Sequence, residues 1–195
     1  HVFVDFLGCR DVTDTALVGF SVNGELQTNI QTDGDTPADG VLDLSIATVF
    51  RPLAQTAATS PAEIHFPQCR TPFAGTTCSR MPSATTPVLT TATNLATGTC
   101  LTPLAGTLRP YSPAVTSPSG PCYAAGPVTV PINLGGIPIT LRDARIAATY
   151  VGNPAGNTTN GLLVGFISET DANATIIPAS FPLVGGQSLS SLLPG

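Results

Sequence analysis

The chain has no lysine and no tryptophan, and only 10% of its 195 residues are charged. Globular domains usually carry about a quarter. All seven basic residues are arginines, set against twelve aspartates and glutamates, which leaves a net charge of −5. A nucleic-acid partner needs a basic face to neutralise its phosphates, so this balance argues for no nucleic acid. Prolines, glycines and polar residues interrupt every apolar stretch before it reaches the roughly 18 residues of a membrane span, so no transmembrane segment is expected. Also missing are a CxxC pair with zinc spacing, a GxSxG elbow, a phosphate-binding loop and a dinucleotide fingerprint. What is present is an apolar fraction of 42%, rich in Val, Ile, Leu and Phe, which excludes a disordered chain. The length suits a single domain over 1–195 with a core of its own. An outer surface with so little charge predicts a protein partner or self-association, unless Thr, Ser, Asn and Gln supply the missing polarity.

The five cysteines are Cys9, Cys69, Cys78, Cys100 and Cys122. Four of them fall within residues 67–127, a span with ten prolines, thirteen threonines and no carboxylate. Such clustering reads as a disulfide framework in an oxidising compartment: secreted, periplasmic or at the cell surface. Three connectivities are open to four cysteines, and the local one pairs Cys69 with Cys78 and Cys100 with Cys122. Cys9 is left over. Proline this dense disfavours interior strands, so the span is expected to be an extended, disulfide-stapled Thr/Pro-rich excursion with one edge strand near 86–91.

Elsewhere the pattern is that of short strands. "HVFVDFL" reads as a strand buried on both faces. "ALVGFSVNGELQTNI" predicts a hairpin of 16–22 with 25–30 around Asn23-Gly24, whose residues suit a type I′ turn. Strands are expected at 41–50 and 62–66, as a pair around Gly135-Gly136, and at 144–151 and 162–169, with a loop at 152–161. Ser168 with Asp171 three residues on suggests a capped helix at 169–176, and 186–193 a final helical turn. The sum is an all-β, antiparallel β-sandwich with little helix.

Three constellations could carry chemistry. His1 and His65 are the only histidines. An N-terminal amine, its own ring and a second imidazole suit copper. This arrangement resembles the histidine brace of the lytic polysaccharide monooxygenases and their copper-binding relatives. That resemblance implies a secreted copper protein or mono-oxygenase with His1 and His65 as ligands and Tyr150 as an axial ring. The competing reading makes His1 the start of a strand and His65 an ordinary strand residue. Asp33, Asp35, Asp39 and Asp43, with glycines at 34 and 40, could offer oxygens to calcium, or form a solvated turn. Glu63 stands two residues from His65 on one strand face and reads either as an acid/base pair or as an exposed polar face. Asn157-Thr158-Thr159 and Asn173-Ala174-Thr175 match the glycosylation acceptor pattern.

The reading that follows is a non-catalytic secreted or cell-surface protein with a structural, adhesive or self-assembling role and no required cofactor. The copper protein is the alternative.

Overall fold

The computed structural model describes residues 2–5, 8–10, 16–17, 20–21, 23–24, 28, 32–33, 38, 40–42, 44–65, 87–102, 114–134 and 136–193, the first four spans and 133–134 as backbone only. Two small hairpins come first. Strands β1 (Val2–Asp5) and β2 (Gly8–Arg10) pair antiparallel, as do β3 (Ala16–Leu17) and β4 (Phe20–Ser21). A single six-stranded antiparallel sheet follows: β5 (Ala47–Phe50), β6 (Thr59–His65), β7 (Val88–Leu95), β8 (Cys122–Leu134), β9 (Ile137–Gly152) and β10 (Ala155–Phe166). Each of these strands pairs with its neighbours in sequence, so the sheet is a meander. Helix α1 (Glu169–Ala174) and a 3₁₀ turn at Leu189–Ser191 follow the sheet. The fold is therefore mostly β with little helix, as expected.

The sheet curls into a half-barrel. Neighbouring strands lie about 4.8 Å apart, so in a flat sheet β5 would stand about 14 Å from β8 and about 19 Å from β9. Yet the Phe50 ring of β5 meets Tyr123 of β8 at 5.0 Å edge-on, and Tyr150 of β9 at 6.3 Å. The inward face supplies the core: Ala62, Ile64, Ala92, Tyr123, Ala125, Val128, Val130, Ile132, Ile137, Ile139, Ala144, Ala148 and Tyr150. Ala172 of α1, Ile177, Leu189 and Leu193 cover it from the open side.

Strict alternation would not put all of these residues inside. In β8 the inward set moves from 123 and 125 to 128, 130 and 132; in β9 it moves from 137, 139 and 141 to 144, 146, 148 and 150. Two compensating bulges make the change. Ala125 faces Ile146, Val128 faces Ala144 and Val130 faces Leu141, so first β8 and then β9 carries one extra residue. The first bulge requires glycine. Gly126 has φ +120, and a Cβ there would stand 2.5 Å from the Ala144 carbonyl oxygen. The second places Asp143 at φ 49, a conformation that aspartate tolerates.

Four expectations need correction. First, the hairpin at Asn23-Gly24 does not form. Asn23, Gly24 and Thr28 are helical, and the Thr28 hydroxyl donates to the Gly24 carbonyl at 3.0 Å. Glu25, Leu26 and Gln27 are good helix formers, and the hairpin forms earlier, between Leu17 and Phe20.

Second, 67–127 contains sheet. Strand β7 lies inside it, between β6 and β8, and β8 begins within it. Proline is tolerated because the ladders are short. Pro127 and Pro131 lie beyond the β7 pairing, which ends at Ala125. Pro61 lies beyond the β5 pairing, which ends at Ala62, and Pro138 beyond the β10 pairing, which ends at Arg142. Each strand proline thus sits where its strand is paired on one side only, and the missing N–H costs no ladder bond.

Third, 152–161 is not a loop. Only Asn153-Pro154 turns, between the paired residues Gly152 and Ala155. The polar residues that follow are strand, exposed on both faces. Fourth, the strand expected at 41–50 is regular only over Ala47–Phe50.

The strand pair expected around Gly135-Gly136 does form: Leu134 of β8 faces Ile137 of β9, and Gly136 before it stands at φ +88; Gly135 lies outside the described residues. Ser168 caps α1, its side chain accepting from the Asp171 amide.

Candidate functional site

Cys100 and Cys122 form a disulfide, the expected pairing. It ties the chain leaving β7 to the first residue of β8. Cys69 and Cys78 lie outside the described residues, as does the side chain of Cys9.

His65 sits on β6. Ser60, Ala62 and Ile64 point inward, so Glu63 and His65 share the outer face. The His65 Nε2 and Glu63 Oε2 are 2.8 Å apart, and the Arg51 Nε is 3.4 Å from Glu63 Oε1. Both members of the pair are half-buried. A ring N–H donated to a carboxylate leaves Nδ1 as the basic nitrogen, so the pair can orient an imidazole. Tyr150 is not available as an axial ring beside it. Its phenol is inside the core, on the opposite face of the sheet, and donates to Asn94 Oδ1 at 2.9 Å. His1 lies outside the described residues.

In the acidic segment, Asp33 Oδ2 accepts from the Gly40 amide at 2.8 Å, and Gly40 has φ +80. This contact joins Asp33 to Gly40 across the segment. Asp35, Asp39 and Asp43 lie outside the described residues. Among the described residues no group of three His, Cys, Asp or Glu side chains converges.

The sequence did not point to a buried polar cluster behind the sheet. The Asn94 amide nitrogen donates to the carbonyls of Ala54 and Ala57 and to Ser60 Oγ, at 3.1, 3.0 and 3.0 Å. Ser60 Oγ in turn accepts from the Ala54 N–H at 3.2 Å. The cluster fixes the β5–β6 connection against the end of the half-barrel. Gln55 completes the closure, donating to the Gly152 carbonyl and accepting from the Ala155 N–H, both at 2.9 Å. Burial pushes the Tyr150 phenol up to about 12, with Tyr123 adding to it. Burial also raises Tyr123, against a hydrogen bond with Thr48. Both phenols are therefore neutral hydrogen-bonding groups at physiological pH, which suits a structural role.

A second unforeseen contact ties α1 to the sheet. Arg142 donates from Nε and Nη2 to the two carboxylate oxygens of Asp171, each at 2.8 Å. The Ser168 hydroxyl donates to Asp171 Oδ2 at 2.6 Å. These bonds hold the Asp171 carboxyl at about 2, below its ordinary 3.8. A depressed carboxyl contributes stability above its unfolded value and loses it as pH falls through the folded one. Asp171→Asn is therefore expected to lower the urea midpoint at neutral pH. The gap to the parent should close as pH is taken from about 4 to about 2. A gap unchanged across that window would place the effect elsewhere.

The outer face of β6 and β7, continued by Ala124 of β8, has a common character. Thr59 stands opposite Thr93, Pro61 opposite Thr91 and Glu63 opposite Leu89; Thr93 also stands opposite Ala124. Thr59, Pro61, Thr91, Thr93 and Leu95 are exposed, and Leu89 is 78% exposed. Glu63, at one end, is the charged member of these rows. Period-two alternation in "VLTTATNL" is the signal that places Leu89, Thr91 and Thr93 together. Among the described residues no helix is long and apolar enough to cross a membrane. No protein-family model matches the chain, and neither the curated proteins nor the solved structures compared with it give a match.

Proposed function

We propose that the chain is a non-catalytic secreted or cell-surface protein with a structural, adhesive or self-assembling role. The observation that carries this reading is the outer face of β6 and β7, where exposed Thr, Pro and Leu residues of two adjacent strands, flanked by the half-buried Ala124 of β8, form rows with a carboxylate at one end. A face of that chemistry repels neither a second copy nor another uncharged protein surface. The Cys100–Cys122 disulfide supports an oxidising compartment. In the same reading the curled sheet is one layer of a β-sandwich, and the N-terminal hairpins contribute to the other. The position of β1 beside α1 supports this, because α1 covers the open side of the core.

The test is self-association measured by sedimentation velocity across a concentration series. The parent chain is expected to associate. The triple variant Leu89→Glu, Thr91→Glu, Thr93→Glu should remain monomeric while retaining a cooperative melt, because all three side chains point outward. A parent that stays monomeric at every concentration, or a variant that associates equally well, would overturn self-assembly through this face.

A further inference from the structure

The edge strand β10 contains a chemically reactive step that belongs to no role described above. The ladder between β10 and β9 pairs Thr159 with Thr149 and Leu162 with Ala147, so Asn160 and Gly161 together oppose the single residue Ala148. Asn160 stands in the left-handed region at φ 52 and is exposed. Gly161 is exposed too, and a Cβ built on it would meet nothing within 4 Å. A bulge of this kind removes a residue from regular pairing. Here the bulged peptide's nitrogen belongs to the one residue type with no side chain to shield it.

We propose that Asn160 is a site of spontaneous self-modification, in which it loses its side-chain amide to the backbone nitrogen of Gly161. The Gly161 nitrogen attacks Asn160 Cγ and gives up its proton to solvent base. The new C–N bond closes a five-membered succinimide, and the side-chain nitrogen, protonated from solvent, leaves as ammonia. Water then opens the ring: attack at the side-chain carbonyl breaks the new Cγ–N bond and gives aspartate, and attack at the backbone carbonyl breaks the original peptide bond and gives isoaspartate, the chain now running through Cγ. One water is consumed, one ammonia is released, and nothing is oxidised or reduced. Either product adds a negative charge to a strand that carries none. Isoaspartate also adds a methylene to the backbone of the sheet edge.

The other asparagines supply internal comparisons. Asn23-Gly24 has the same pair of residues, but in helical backbone whose Gly24 carbonyl accepts from Thr28. Asn157 and Asn173 are exposed but precede Thr158 and Ala174, whose Cβ atoms crowd the attacking nitrogen. Asn153 precedes Pro154, which has no N–H to lose.

The experiment ages the purified full chain in mildly alkaline buffer. It follows each asparagine by peptide mapping with mass spectrometry, and isoaspartate by enzymatic methylation. Asn160 is expected to lose its amide roughly tenfold faster than Asn157 or Asn173, because of the three only Asn160 has a neighbour without a Cβ, and isoaspartate is expected as the major product. Gly161→Ala, which the open space accommodates, should remove most of that difference while leaving the melting temperature unchanged. Loss at Asn160 no faster than at Asn157, or a rate unaffected by Gly161→Ala, would overturn the assignment.

Discussion

Asn94→Leu is expected to lower the unfolding free energy by about 3 kcal/mol, which is roughly 6–12 °C in melting temperature for a domain of this size. Asn94 is buried within β7, and its amide touches four partners: the Ala54 and Ala57 carbonyls, Ser60 Oγ and the Tyr150 hydroxyl. Leucine fills a similar volume but donates and accepts nothing. It leaves buried polar groups unsatisfied in surroundings where water cannot replace the lost bonds. Tyr150→Phe removes one bond and should cost less, about 1–2 kcal/mol. The double variant should cost less than the sum of the two, because the second substitution removes a group that the first has already orphaned. Urea unfolding of the four proteins measures this. A loss for Asn94→Leu below about 0.5 kcal/mol would mean that the connection before β6 is held without this cluster.

Removing the disulfide should have an effect of similar size. Cys100→Ala with Cys122→Ala is expected to cost about 2–4 kcal/mol, since the bridge closes a loop of 22 residues that the unfolded chain would otherwise leave open. Alanine is the informative replacement, because Cys122 is fully buried and serine would introduce a hydroxyl there. The connection has other restraints. The Cys100 amide donates to the Pro118 carbonyl at 2.9 Å, and the Gly120 amide to the Gly98 carbonyl at 2.7 Å. The free energy from denaturant titration decides between them. A loss below about 1 kcal/mol would show that these backbone bonds suffice and that the disulfide adds little.

Several elements could be read directly from the sequence because their signals are local. Gly136 stands between β8 and β9 at positive φ, which only glycine accepts without cost. Ser168 caps α1 because its side chain reaches an amide three residues on. The Cys100–Cys122 pairing followed from clustering. Asn23-Gly24 has an equally local signal, yet the backbone there is helical, because the residues after it favour a helix and β3 finds its partner sooner. Residues 152–161 have a loop's composition but form strand, because an edge pairing with β9 needs only backbone groups. The site candidates divide in the same way. Glu63 and His65 were placed on one face by period two, and the structure joins them. Tyr150 was separated from them by a face assignment that no single strand reveals, since the β9 bulge changes which parity points inward.

The sequence by itself determined that this chain is a mostly β protein with a local disulfide and few charges. These properties follow from composition and from alternation over a few residues. Only the tertiary structure decided where the prolines could stand, which alternating set faces the core on each side of the bulges, and that Asn94, Ser60 and Tyr150 meet. Each depends on how far one ladder extends past the next and on the curl that brings β5 over β8 and β9. Ladder length and curl arise from the joint packing of six strands, so they cannot be read from the residues of any one of them.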